Sequence, residues 1–76
     1  MTRESWRDEW PPFRIKLVEE TARCIVDQRA LASRGAEPSW AELTTAGQAM
    51  RVEAVAALFS VQDIAMHNLI ERGDAP

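Results

Sequence analysis

Residues 50–72, MRVEAVAALFSVQDIAMHNLIER, decide the fold because apolar side chains recur through them at helical spacing. They cover well over half of a helical wheel: Met50, Val52, Ala54, Val55, Leu58, Phe59, Val61, Ile64, Ala65, Met66, Leu69 and Ile70. A helix that is apolar on so many sides lies at the centre of a bundle or in an interface between chains. A chain of 76 residues has few other helices to cover it. We therefore expect an apolar patch that is left for a second copy or another protein.

The residues before this stretch predict a second long helix and a loop. Residues 12–33 have the spacing of an amphipathic helix, which Pro12 can begin because the first helical position needs no N–H donor. Gly35 and Pro38 end it, so residues 34–39 should form a loop and residues 40–72 the C-terminal helical region. Ser39 and Glu42 have the spacing of a capping box at the start of that region.

Residues 1–11 predict only a short N-terminal segment, in which Thr2 or Ser5 can cap one helical turn before two consecutive prolines stop it. The strict alternation that is typical of β-strands does not occur. The sequence therefore predicts a single all-α domain over residues 1–76. Its expected architecture is a small three- to four-helix bundle with a long C-terminal helix or helix pair.

The choice between one C-terminal helix and two depends on Ser60. Ser60 and Asp63 have the spacing of a second capping box, and Phe59 and Ile64 have the spacing of a hydrophobic staple. A turn at Ser60 would divide the stretch into two helices, whereas an uninterrupted helix would place Ser60 on its polar side. Both arrangements fit the sequence.

With a turn at Ser60, residues 52–73 resemble the helix-turn-helix of excisionase-like and MerR-like DNA-binding proteins. The resemblance rests mainly on the core positions Val52, Val55, Ala56, Leu58, Phe59, Val61, Ala65, Met66, Leu69 and Ile70, and on the final Arg72 and Gly73. It implies a DNA-binding regulator in which Gln62, His67 and Asn68 contact base edges. The sequence departs from the pattern at Ser60, which replaces the turn glycine, and at Asp63, where an arginine is common.

A second resemblance is to short all-α proteins of phages and prophages. It is carried by Trp40, Leu43 and Thr44, then Gly47, Arg51 and an alanine-rich run, preceded by the amphipathic segment LVEETARCIV at residues 17–26. Proteins of this size and origin include anti-CRISPR inhibitors. The resemblance implies a non-enzymatic protein-binding module that docks on a host protein complex and blocks its nucleic-acid or partner site. A structural homo-oligomer is a third possibility.

Charge and composition narrow the classes of partner. The net charge is −3, and the negative excess lies in residues 39–76, which contain five acidic side chains but only two basic ones, Arg51 and Arg72. Such a half would be repelled by phosphates, which argues against nucleic-acid binding. One cysteine and one histidine cannot supply a disulfide or a structural zinc site. The N-terminus lacks the apolar core of a signal peptide and no apolar run could span a membrane, so we expect a cytoplasmic protein.

No residue pattern points to catalysis. His67 lies one helical turn after Asp63, but no nucleophile accompanies the pair. Cys24 is expected to be a buried, inert thiol among apolar neighbours. No phosphate-binding loop, paired metal ligands or acid/base carboxylates can be assembled, so we expect no enzyme, no cofactor and no metal.

Six residues are candidates for contact with a protein partner. Glu53, Asp63, His67 and Glu71 form the narrow polar edge of the C-terminal helix, which could meet a basic groove or be an ordinary solvated face. Trp6 and Trp10 share one face of the N-terminal segment. Tryptophan is enriched at interface hot spots, but we favour packing of both side chains over the mouth of the bundle, because the core needs apolar area.

Overall fold

The computed structural model describes residues 5–74, which form three α-helices and one 3-10 turn. The helices are α1 (Ser5–Glu9), α2 (Pro12–Ala32) and α3 (Thr45–Glu71), and the 3-10 turn is Trp40–Glu42. No strand occurs among these residues, which confirms the all-α class. Of the two predicted N-terminal caps, Ser5 is the first helical residue of α1 and not the capping residue before it, and Thr2 lies outside the described residues.

Helix α2 begins and ends close to the predicted positions. Pro12 occupies its first turn, where a missing N–H costs nothing. At the other end Arg34 and Gly35 both adopt left-handed backbone angles, and the Gly35 N–H donates to the Ala30 carbonyl at 2.9 Å. This hydrogen bond satisfies a carbonyl that the ending helix would otherwise leave unpaired.

The connection from α2 to α3 is held by hydrogen bonds to both helices. The Ser39 N–H donates to Glu42 Oε1 at 2.8 Å, so the predicted capping box is present. The Trp40 N–H donates to Asp27 Oδ1 at 2.8 Å, and Gln48 Nε2 donates to the Trp40 carbonyl at 2.9 Å. The loop is therefore attached to α2 on one side and to the first turn of α3 on the other.

Helix α3 is continuous over 27 residues, which corresponds to about 40 Å. It begins after Thr44, whose hydroxyl accepts the Gly47 N–H at 3.0 Å. Of the two arrangements open at Ser60, the structure has the single helix, and the turn that the helix-turn-helix resemblance requires is not formed. Inside a helix the backbone N–H groups already have carbonyl partners, so a serine there is not needed as a cap.

Helices α2 and α3 pack antiparallel around a thin core. Arg14, near the start of α2, pairs with Asp63 towards the end of α3, whereas Asp27, near the end of α2, accepts the N–H of Trp40, which shortly precedes α3. The buried hydrophobic side chains among the described residues are Trp6, Val18, Ala22, Val26, Val52, Val55 and Ala56. Most of them are valine or alanine, so the two backbones can approach closely.

The short helix α1 covers one side of this helix pair. Trp6 is 8% exposed and its ring lies 5.3 Å from that of Trp10, which in turn stacks 6.4 Å from Phe59 of α3. The opposite side of the pair has no covering helix within residues 5–74. The radius of gyration is 15.0 Å, against about 11 Å for a compact domain of this length, so the molecule is markedly elongated.

Candidate protein interface

Four of the six residues predicted to contact a partner lie where α1, α2 and α3 meet. The Trp6 indole N–H donates to the Glu53 carboxylate, at 3.1 Å to Oε2 and 3.3 Å to Oε1. Glu53 therefore satisfies the polar atom of a tryptophan that packs into the core. Trp6 therefore packs against the helix pair, which is the alternative to partner contact that the sequence left open.

Trp10 and Asp63 belong to a second cluster around Arg14. The Arg14 guanidinium lies 4.0 Å from the centre of the Trp10 ring and 5.5 Å from that of Phe59. Its Nη2 also donates to Asp63 Oδ2 at 2.6 Å. The cluster joins the N-terminal segment and α2 to α3 through cation–π and charge-assisted contacts. That these four residues also contact a partner stays a prediction.

His67 and Glu71 are separate from these clusters. His67 Nε2 lies 3.3 Å from Glu71 Oε1, and both side chains are largely exposed on the last turns of α3. Asp63 bonds Arg14, so the catalytic pairing of Asp63 with His67 weighed from the sequence is not formed. No group of three His, Cys, Asp or Glu side chains within residues 5–74 could hold a metal ion.

Cys24 is exposed, whereas the sequence predicted a buried thiol. It lies on the side of α2 that faces away from α3, because the buried residues Val18, Ala22 and Val26 define the opposite side. Desolvation by neighbouring side chains raises the pKa of the Cys24 thiol, and the Glu20 carboxylate, which accepts its S–H at 3.6 Å, adds to that effect. The thiol is therefore accessible but mostly protonated near neutral pH.

The C-terminal part of α3 extends beyond α2. Arg14 near the start of α2 lies beside Asp63, so the following residues of α3 have no part of α2 next to them. Every residue from 60 to 74 is exposed. We call residues 61–71, from the level of Arg14 to the end of α3, the overhang; its exposed large apolar side chains are Val61, Ile64, Met66, Leu69 and Ile70. These residues are the apolar excess that the sequence predicted.

A groove lies between α2 and α3 on the side that α1 does not cover. Its volume is about 300 Å³, and its walls include Ile25 and Arg29 from α2 and Arg51, Ala54 and Leu58 from α3. Buried Ala22, Val26 and Val55 also line it. The sequence did not reveal this groove. Residue spacing within α3 does not show which side of the helix α2 will cover and which side it will leave open.

The groove and the overhang form one surface, which we call the uncovered face. On α3 the residues Arg51, Ala54, Leu58, Val61, Ala65 and Leu69 follow one another at intervals of three or four. Residues at these intervals lie along one side of a helix, in the pattern by which a second helix packs against it. The face therefore has the shape and polarity of a surface for another helix.

Comparisons with known proteins identify no relative. No protein-family model matches the chain, and no curated protein or solved structure matches it either. No helix within the described residues is long and apolar enough to cross a membrane. The resemblances to phage proteins and to helix-turn-helix regulators therefore stay predictions.

Proposed function

We propose that this chain is a non-enzymatic protein-binding module and that the uncovered face is its docking surface. The observation that carries the proposal is the overhang, where apolar side chains continue after the helix has lost its neighbour. Monomeric proteins rarely expose contiguous apolar surface of more than a few hundred Å² unless it binds something. An overhang of about three helical turns with five large exposed apolar side chains is such a surface.

The electrostatics favour a protein over a nucleic acid as the partner. The half of the chain that contains α3 carries the negative excess, and Asp63 occupies a position where a DNA-reading helix would carry a cation. A helix-turn-helix also requires two helices across a turn at Ser60, where α3 is continuous.

In its specific form, the chain is a phage-type inhibitor, anti-CRISPR-like, whose acidic edge on α3 (Glu53, Asp63 and Glu71) docks on a host protein complex in the bacterial cytoplasm. A rigid helical rod of this size can block a nucleic-acid or partner site simply by occupying it. The resemblance at residues 17–59 supports this form, together with the acidic side chains that accompany the apolar ones on α3.

Site-specific photo-crosslinking in the intended host tests the docking surface. A benzoylphenylalanine at Leu58 lies on the uncovered face, and one at Lys16 lies on the solvent side of α2 as the matched control. We expect crosslinks to a second polypeptide, either another copy of the chain or a host protein, from position 58 and far fewer from position 16. Equal crosslinking from both positions, or none from either, would contradict the proposal.

Fluorescence anisotropy of labelled duplex DNA at low salt, where attraction to phosphates is strongest, separates the regulator from the binding module. We expect no binding. Tight, sequence-dependent binding would instead support the helix-turn-helix alternative.

A further inference from the structure

Resting on the proposed function, we infer that the occupant of the uncovered face is a second copy of this chain. In this arrangement the two α3 helices run antiparallel, and the overhang of each copy lies in the groove of the other. Two observations support this arrangement, the exposed area and the shape of the uncovered face.

The exposed area is sufficient for such a pair. The chain exposes 5994 Å², against about 4,700 Å² for a compact monomer of 8.6 kDa. The excess is therefore about 1,300 Å², whereas a stable protein interface buries about 800 Å² on each partner. Pairing of two such elongated copies would give an assembly that is more compact than one copy alone.

The shape of the uncovered face is complementary to itself. The concave groove lies beside the first half of α3, and the convex overhang is the last part of the same helix. An antiparallel pair with its twofold axis near Ser60 places both overhangs over both grooves at once, which is the closed arrangement that most homodimers adopt. A head-to-tail arrangement would leave one groove and one overhang unfilled at its ends.

The overhang is apolar over the width that a groove requires. Val61, Ala65 and Leu69 continue the row that borders the groove, and Met66 and Ile70 continue the row that faces α2 earlier in the helix. Together the two rows span roughly half of the helical wheel. A helix that packs against one neighbouring helix needs only one apolar row, whereas a helix that lies between two neighbours needs both rows.

Light scattering coupled to size exclusion, over a micromolar concentration series of the full chain, tests the inference. We expect a mass of twice 8.6 kDa. The variant Leu58→Glu places a charge on the uncovered face and should weaken association at least tenfold, a loss of about 1.4 kcal/mol. The matched control Phe13→Glu replaces an apolar side chain that is 75% exposed outside this face, and it should remain dimeric. Circular dichroism checks that both variants keep their helices.

Single cysteines in a Cys24→Ser background test the orientation. In an antiparallel pair, residues near the axis meet their own copies, whereas residues near the helix ends do not. Val61→Cys should therefore form a disulfide-linked dimer under mild oxidation, and Leu69→Cys should not. Equal linkage at both positions would indicate a parallel pair and overturn the arrangement.

The outcomes separate this inference from the proposed function. A wild-type chain that is monomeric throughout the series overturns the second copy as occupant. If Leu58 still crosslinks to a different protein, the binding module stands with another partner. Filaments or larger assemblies would overturn the closed pair, and a dimer that captures no other protein would support the pair and refute the inhibitor.

Discussion

Replacing Val18 with alanine tests whether the thin core is the source of stability. Among the described residues, Val18 is the largest side chain that is fully buried, at 0% exposure, and it lies between α2 and α3. The change removes two methylene equivalents, which corresponds to about 1.6 kcal/mol of lost burial. The cavity left behind adds up to about 1 kcal/mol, and the higher helix propensity of alanine returns about 0.5 kcal/mol. We expect a net loss of about 2 kcal/mol in the free energy of unfolding.

Urea unfolding followed by circular dichroism measures this loss. The matched control is Val61→Ala, which makes the same chemical change at a helical site that is 61% exposed. Both variants are compared in the Leu58→Glu background, so that self-association does not contribute to the midpoint. Val61→Ala should leave the stability unchanged or slightly raised. A loss below about 0.5 kcal/mol for Val18→Ala, or equal losses at both sites, would refute the assignment of the core.

Three further predictions concern α3, the Arg14 cluster and Cys24. Ser60→Pro should cost about 3 kcal/mol or more and reduce the helical circular dichroism signal, because Ser60 is inside a helix; tolerance of proline would indicate a turn there. Asp63→Asn should lower the free energy of unfolding by about 0.5–1 kcal/mol at low salt and by less at 1 M salt, since its exposed ion pair with Arg14 is screened. Alkylation of Cys24 at pH 8 should be slower than that of a free cysteine peptide, because the pKa of the thiol is raised, and Glu20→Gln should accelerate it by removing a negative neighbour; an unchanged rate would exclude that contribution.

Local rules were sufficient to predict most of the secondary structure. Pro12 and Gly35 mark the ends of α2 because their backbone requirements act within one or two residues. The capping box of Ser39 and Glu42 is equally local. Ser60 shows the limit of the same rule, because its spacing to Asp63 matches a cap while the surrounding apolar periodicity continues the helix. A single cap contributes about 1 kcal/mol, whereas the periodic apolar side chains stabilise the helix over many turns. The structure accordingly has the continuous helix.

The contacts between elements could not be predicted in this way. Arg14 and Asp63 are 49 positions apart, and only the register of α2 against α3 brings them together. Trp6 and Glu53 are 47 positions apart and meet for the same reason. The sequence identified Trp6, Trp10, Glu53 and Asp63 as candidates for partner contact. The structure was needed to show that Trp6 contacts both Glu53 and Trp10, and that Asp63 pairs with Arg14.

The distribution of apolar side chains explains why a partner is expected. Within the part of the chain that the structure describes, the buried residues other than Trp6 are valines and alanines, whereas Phe13, Leu31, Met50, Leu58 and Ile70 are each more than half exposed. A chain that works as an isolated monomer gains most by burying its largest apolar side chains, since the free energy of burial scales with area. Here the small side chains let α2 and α3 approach closely, and many of the large ones point outwards, several of them on the uncovered face. Burying them would take a second polypeptide, and the free energy of that burial is the physical basis of the proposed docking surface.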